Sequence, residues 1–274
     1  MKKNKLIVIL LGLIYIGLFI VAAGYDLAVS GFLTAREVSA IVQIGYRFGP
    51  LPSFLVPAWC IIVLGEEWEK YRISRIIAFG LCAGGAYSVV RPDLSSLLDF
   101  LKLVLVWAFF FAVLDHLPMP ERSKSNKRIL TIGIVVSFGS LLTVEVMKML
   151  WGRPRFMLVN QEEELFREWY KISGFALRPD GYRSFPSGHT VSASSIFFIT
   201  YLPLLFPSLR RKQWVFWLIS ITFTAFVAFS RVMAGMHYIS DVMAGYAVYM
   251  VWYIGGELWR TRQDADLKEA EESK

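Results

Sequence analysis

The chain has 274 residues, 55% of them hydrophobic, with 21 Phe, 12 Tyr and 9 Trp. A soluble domain runs nearer about 45–50% apolar, and the excess here falls in long runs, which excludes an ordinary soluble class. The formal net charge of +7 is divided among short segments between those runs, which argues against nucleic acid and matches a membrane protein with basic inner loops.

The basic start (Lys2, Lys3, Lys5) and the apolar run from Leu6 to Ala23 have the form of a signal peptide. That run is long, no small-x-small cleavage site follows at once, and more spans come later, so it reads as a retained first helix over 6–24. A helix rises ~1.5 Å per residue and crosses the hydrocarbon in roughly 20 residues. Shorter or interrupted spans follow at 50–65, 73–90 and 98–117, and clear ones at 129–150, 190–207, 213–231 and 238–257. Pro57, the Gly84-Gly85 pair, Asp99 and Lys102 interrupt the weaker three, and membrane helices tolerate glycine and proline. The predicted fold is all-α, a polytopic transmembrane bundle of about eight spans in a single membrane domain over 1–274. Six spans would keep the same parity. Cys60 and Cys82 lie in apolar runs and read as small buried hydrophobes.

With the N-terminus inside, basic residues fall on every inner segment: Lys2, Lys3 and Lys5; Lys70, Arg72 and Arg75; Arg122, Lys124, Lys127 and Arg128; Arg210, Arg211 and Lys212; Arg260, Arg262, Lys268 and Lys274. The outer face then receives 25–49, 91–97, 151–189 and the turn near 232–237. In 151–189, Trp151, Trp169, Tyr170 and Tyr182 read as interface anchors, and Glu162-Glu163-Glu164 as a solvated face.

Two polar stretches on that outer face hold two of the three histidines. Ionisable groups at membrane depth are costly and mark a site by default. His237 and Asp241 are four apart, so on a helix they share a face, and a carboxylate beside an imidazole fixes its tautomer and raises its basicity. A plain polar pair closing a gap between helices is the alternative. Ser230-Arg231 ends the preceding span, with Gly235 breaking the helix before His237; the guanidinium offers a planar fork for phosphate, or snorkels to headgroups. Pro186-Ser187-Gly188-His189 opens a helix, where free amides attract anions. A helix cap explains Ser187 and Gly188 but does not call for His189. Lys148 and Arg155, seven apart, stack on one face if the helix continues past Gly152 and Pro154; with Arg153 they form an anion-attracting cluster, and Glu145 pairs with Lys148. Few carboxylates and no cysteine are left to hold a divalent metal, so the inventory fits metal-free phosphoryl transfer through a histidine.

These residues resemble the type 2 phosphatidic acid phosphatase superfamily, itself related to vanadium-dependent haloperoxidases. Its signature has three blocks: Lys-x6-Arg-Pro, Pro-Ser-Gly-His, and Ser-Arg-x5-His-x3-Asp. The second block matches at Pro186–His189 and the third at Ser230, Arg231, His237 and Asp241. The first matches at Lys148 and Arg155, with Phe156 where the family has proline, and Arg153 stands as a neighbour. The resemblance covers 148–241 and implies a six-span core with extra N-terminal helices. It also implies that His237 is the nucleophile, that Asp241 orients it, and that His189 is the acid and then the base. Lys148, Arg155, Arg231, Ser187 and Gly188 would hold the phosphoryl oxygens, with Arg153 and Ser230 as auxiliaries and no metal or other cofactor.

The function so implied is metal-independent hydrolysis of a lipid phosphate monoester or diphosphate in the bilayer. Phosphatidate-type phospholipids, isoprenoid diphosphates and lipid A-type phosphates are the substrate classes. A phosphotransferase passing phosphate to a lipid or sugar, and a non-enzymatic transporter with an anion site, are the alternatives. Lys-rich ends without a targeting extension point to a bacterial inner membrane, with both termini cytoplasmic and the site facing the periplasm. Oligomeric state has no signature in the sequence.

Overall fold

The computed structural model describes residues 2–34, 39–67, 70–90 and 96–272, and among them the chain is all-helical. Residues 35–38 and 91–95 of the expected outer segments lie outside this set, as do Lys274 and the side chains of Lys2, Lys3, Lys5 and Lys268. Helix α1 (Lys2–Gly24) bends by 73° into the short α2 (Asp26–Leu33). After α3 (Ala40–Phe48) come α4 (Leu51–Glu67), α5 (Tyr71–Val90), α6 (Leu97–Asp115) and α7 (Lys124–Trp151). The next stretch holds α8 (Phe156–Val159) and 3-10 turns at Glu163–Leu165 and Asp180–Tyr182. Helix α9 (Gly188–Ser194), a 3-10 stretch over Ser195–Tyr201 and α10 (Leu202–Leu205) run on as one span. A further 3-10 stretch (Pro207–Lys212) leads into α11 (Gln213–Met233), and α12 (Ile239–Glu272) follows.

Six of these segments are long and apolar enough to cross a membrane, and the bent α1–α2 pair makes a seventh if it is one span. The other expected span is the first half of α12, which is not among them; Tyr246, Tyr249, Tyr253, Gly255 and Gly256 dilute its apolar character. The chain is thus an integral membrane protein with the polytopic helical architecture expected. The charges that interrupt the 98–117 span are accommodated locally. Asp99 closes a capping box with Ser96 at the start of α6, and Lys102 Nζ lies 3.0 Å from the Asp99 carboxylate.

Between lipid-facing helices the hydrophobic effect is weak, and close packing of small residues takes over. Helix α9 is held among α4, α7, α11 and α12. A Cβ at Gly245 of α12 would sit 2.6 Å from the Ser187 carbonyl, so the absence of a side chain there lets α12 reach the start of α9. Deeper in the bundle, Phe197 is ringed by Trp217, Tyr246, Tyr249 and Tyr253 at centroid distances of 5.8–6.3 Å. Cys60 and Cys82 are free and buried in apolar surroundings, as read from the sequence.

The ends of the bundle differ in chemistry. At the end holding the start of α7, Arg75 bridges Glu66 and Asp115, and Arg128 pairs with Asp264 at 2.7 Å. These partly exposed pairs contribute about 0–1 kcal/mol each and tie neighbouring helices together. At the opposite end of α7 stand Lys148 and the histidine segments.

Candidate active site

Two left-handed glycines shape this end. Gly152 (φ 58) terminates α7, its N–H bonding to the Lys148 carbonyl, and Pro154 prevents continuation. Lys148 therefore lies in the last turn of α7, whereas Arg155 sits beyond the helix at the start of α8; they do not stack on one helical face. Gly235 (φ 65) lets the chain turn after α11, and its carbonyl accepts the Met157 N–H at 2.9 Å. Because α12 begins at Ile239, His237 stands in the turn before the helix and Asp241 in its first turn. The shared-face expectation is replaced by a capping geometry, in which the Asp241 carboxylate accepts the Tyr238 N–H at 2.9 Å.

His237 is buried, and its closest partner is not Asp241. Nδ1 lies 2.7 Å from the Ser184 carbonyl and 3.7 Å from Asp241 Oδ2. A carbonyl only accepts, so this hydrogen bond assigns the proton to Nδ1 and leaves Nε2 with its lone pair. Burial pushes the imidazole pKa down to about 4, against the raising influence of the Asp241 carboxylate. The ring is therefore neutral near pH 7, the state a nucleophile needs.

Asp241 is itself held on several sides. Arg153 Nη1 donates to Oδ1 at 2.6 Å, and the Ser184 hydroxyl donates to Oδ2. Arg153, expected as an auxiliary, is a buried strut. Its Nε donates to the Arg167 carbonyl at 2.7 Å, Nη1 also to Ser240 Oγ at 2.8 Å, and Nη2 to Asp26 Oδ2 at 2.8 Å. The guanidinium stacks 4.1 Å over the Tyr238 ring. Ser230, the other expected auxiliary, also serves packing: its hydroxyl bonds to the Val227 carbonyl, and its side chain presses against Gly45 of α3.

The remaining candidates gather nearby. His189 is in the first turn of α9, its ring stacked on Tyr46 at 5.4 Å and 22°, and it lies in the field of Arg231, His237, Lys148 and Arg155. Arg231 also covers the Tyr46 ring, at 5.2 Å. Its Nε is buried without a hydrogen-bond partner. An orphaned, desolvated guanidinium donor is costly. Lys148 Nζ contacts Glu145 at 2.9 Å and abuts Gly188, where a Cβ would come within 2.8 Å of it. Ser187 caps α9, its hydroxyl oxygen accepting from Thr190 N at 3.4 Å and Thr190 Oγ1 at 3.1 Å. Arg155 is held by the Asp180 carboxylate at 2.6 Å.

The PAP2 superfamily model matches residues 128–265, half of the chain, including all three signature blocks. The chain belongs to the PAP2 superfamily. No solved structure gives a significant match to it. PAP2 membership makes this a phosphatase-type enzyme of phosphoester chemistry. Among the described residues of this PAP2 protein, no group of three His, Cys, Asp or Glu side chains is placed to hold a metal ion.

Several residues here were not anticipated. Ser184 acts on His237 through a backbone carbonyl, which any residue type supplies and no motif reveals. Arg183, paired with Glu145, adds a cation beside Lys148. Tyr46 and Asp26 come from the N-terminal third, outside the PAP2 match. Asp26 did carry a signal, being an isolated acid directly after an apolar run, and such acids are expensive without a partner.

Proposed function

We propose that the protein hydrolyses the phosphate monoester or diphosphate of a membrane lipid through a phosphohistidine on His237. The observation that carries this is the geometry at His237, whose Nδ1 lies 2.7 Å from the Ser184 carbonyl and leaves Nε2 bare. In the first step Nε2 attacks phosphorus, the bond to the lipid oxygen breaks, and His189 donates its proton to that oxygen. In the second step His189 takes a proton from water, the resulting hydroxide displaces phosphate from Nε2, and His237 is restored. Lys148, Arg155 and Arg231 hold the equatorial oxygens with the Gly188 amide. Ser187 adds its hydroxyl proton, since its oxygen already accepts twice from Thr190. These cations and donors do what a metal would otherwise do for developing charge.

A lipid substrate is supported by an apolar cavity of about 320 Å³ lined by Tyr15, Ile221, Ala225, Met243, Thr190 and Val242, of which Thr190 and Val242 follow His189 and Asp241 in sequence. It suits an acyl or isoprenoid chain. The distribution of basic segments supports an orientation with both termini cytoplasmic and the site on the outer face of the membrane. The test is phosphate release from phosphatidate, phosphatidylglycerophosphate, an isoprenoid diphosphate and a lipid A-type phosphate, with and without EDTA. Activity on one lipid class, unchanged by EDTA, is the expected result; activity abolished by EDTA and restored by a divalent ion would contradict it.

Arg231 gives a second, local expectation. Arg231→Lys keeps the charge but loses the fork and the stacking on Tyr46, so kcat/KM should fall by roughly 10²–10³-fold. Kinetics within a few-fold of wild type would remove Arg231 from the phosphate site.

A further inference from the structure

Beyond the PAP2 match lies an acidic residue wired into the support of His237. Asp26, the first residue of α2, is buried, with 1% of its side chain exposed. Its Oδ1 accepts the Ser240 N–H at 3.0 Å, and its Oδ2 accepts from the Ser240 hydroxyl and from Arg153 Nη2 at 2.8 Å. Ser240 lies in the first turn of α12, so Asp26 satisfies a free amide at the start of that helix from a different helix. The same Arg153 guanidinium grips Asp241 Oδ1, and Asp241 Oδ2 accepts from Ser184, whose carbonyl holds His237 Nδ1. A continuous chain therefore runs from Asp26 through Arg153, Asp241 and Ser184 to the imidazole.

The rest of the N-terminal unit holds Asp26 in this place. Tyr15 of α1 donates to the Met243 carbonyl of α12 at 2.6 Å. Past the bend, α2 approaches Phe156 through Gly31, and the residue after it, Thr34, approaches Gly235. The unit thus contacts α8 and the turn at Gly235.

We propose that Asp26 is a positioning residue for the reaction at His237, acting by sharing Arg153 with Asp241. With two carboxylates on one guanidinium, Arg153 is drawn in both directions, and Asp241 keeps its bonds to Ser184 and Tyr238. When Asp26 loses its charge, Arg153 has Asp241 as its one charged partner in the strut, and the pull on Oδ1 loosens the groups that orient the imidazole. This inference rests on the phosphohistidine reading, but its test separates the two.

In Asp26→Asn the shape and one acceptor remain. We expect kcat to fall about 10- to 100-fold, the scale of a small misplacement of a reacting group, with KM and affinity for inorganic phosphate within about twofold of wild type. In an Asp241→Asn background, adding Asp26→Asn should change kcat by less than about twofold, since the two act along one line. The same fold loss in both backgrounds would reduce Asp26 to a helix cap and overturn the proposal. So would wild-type kcat in D26N, or loss of phosphate binding together with turnover. A second readout does not depend on activity. The chain has three histidines, so a 15N-histidine NMR spectrum of the full-length protein resolves the His237 tautomer. The Nδ1–H form should dominate in wild type and lose population in D26N; identical His237 spectra would overturn the proposal even if no substrate were found. Absence of phosphate release by wild type, with the spectral change present, would instead overturn the phosphatase reading.

Discussion

His237→Ala should abolish phosphate release, lowering kcat by about 10⁴-fold or more, while leaving the fold and the binding of inorganic phosphate in place. The scale follows from loss of a nucleophile whose neighbours work as a unit with it. His237 is deep in the site, yet alanine at this position leaves no orphaned charge. Asp241 keeps Arg153, Ser184 and the Tyr238 amide, and the Ser184 carbonyl loses one neutral hydrogen bond. Steady-state phosphate release beside a phosphate-binding titration checks both halves. A variant that binds phosphate and still turns over within tenfold of wild type would place the nucleophile elsewhere.

Arg153→Ala should be the most damaging substitution for stability. It leaves Asp26 and Asp241, 1% and 0% exposed, facing each other without their shared cation. Removing one partner of a buried ion pair costs about 3–5 kcal/mol because the remaining charge stays uncompensated. In a chain of this size that corresponds to a fall of roughly 10 °C in the unfolding midpoint. Adding Asp26→Asn to Arg153→Ala removes one of the two stranded charges and should recover part of the loss. Thermal unfolding of the purified variants checks this. An Arg153→Ala protein as stable as wild type, or a double variant less stable than the single one, would mean that the triad does not behave as a charged unit.

What the sequence made legible follows from which properties are local. Apolar length is local, so the helical bundle could be read directly, even where Asp99 and Lys102 interrupt the apolar run; Ser96, three residues before Asp99, supplies the cap. The eighth span was less sharply marked, because the aromatic and glycine residues that pack α12 against α7 and α9 also lower its apolar character. At the site, the histidines, Asp241 and the cations were marked by residue type and spacing. Their roles in space were less so. Spacing placed His237 and Asp241 on one helical face, but α12 starts between them, and Asp241 turns back to cap it. Arg153 and Arg155 are two residues apart and look alike on paper. The left-handed turn at Gly152 sends Arg153 inward to two carboxylates and Arg155 toward Asp180. Asp26 is separated from Arg153 by 127 residues, and only the bend after α1 brings them together.

The central claim is that phosphate passes through His237 Nε2. The most direct measurement is rapid acid-free quenching of the enzyme with 32P-labelled lipid phosphate, followed by mapping of the labelled peptide. The phosphohistidine reading predicts a base-stable, acid-labile phosphoryl group on His237, formed in a burst and lost in His237→Ala. Label on another residue, or turnover in wild type with no phosphoenzyme on any timescale of the reaction, would contradict it.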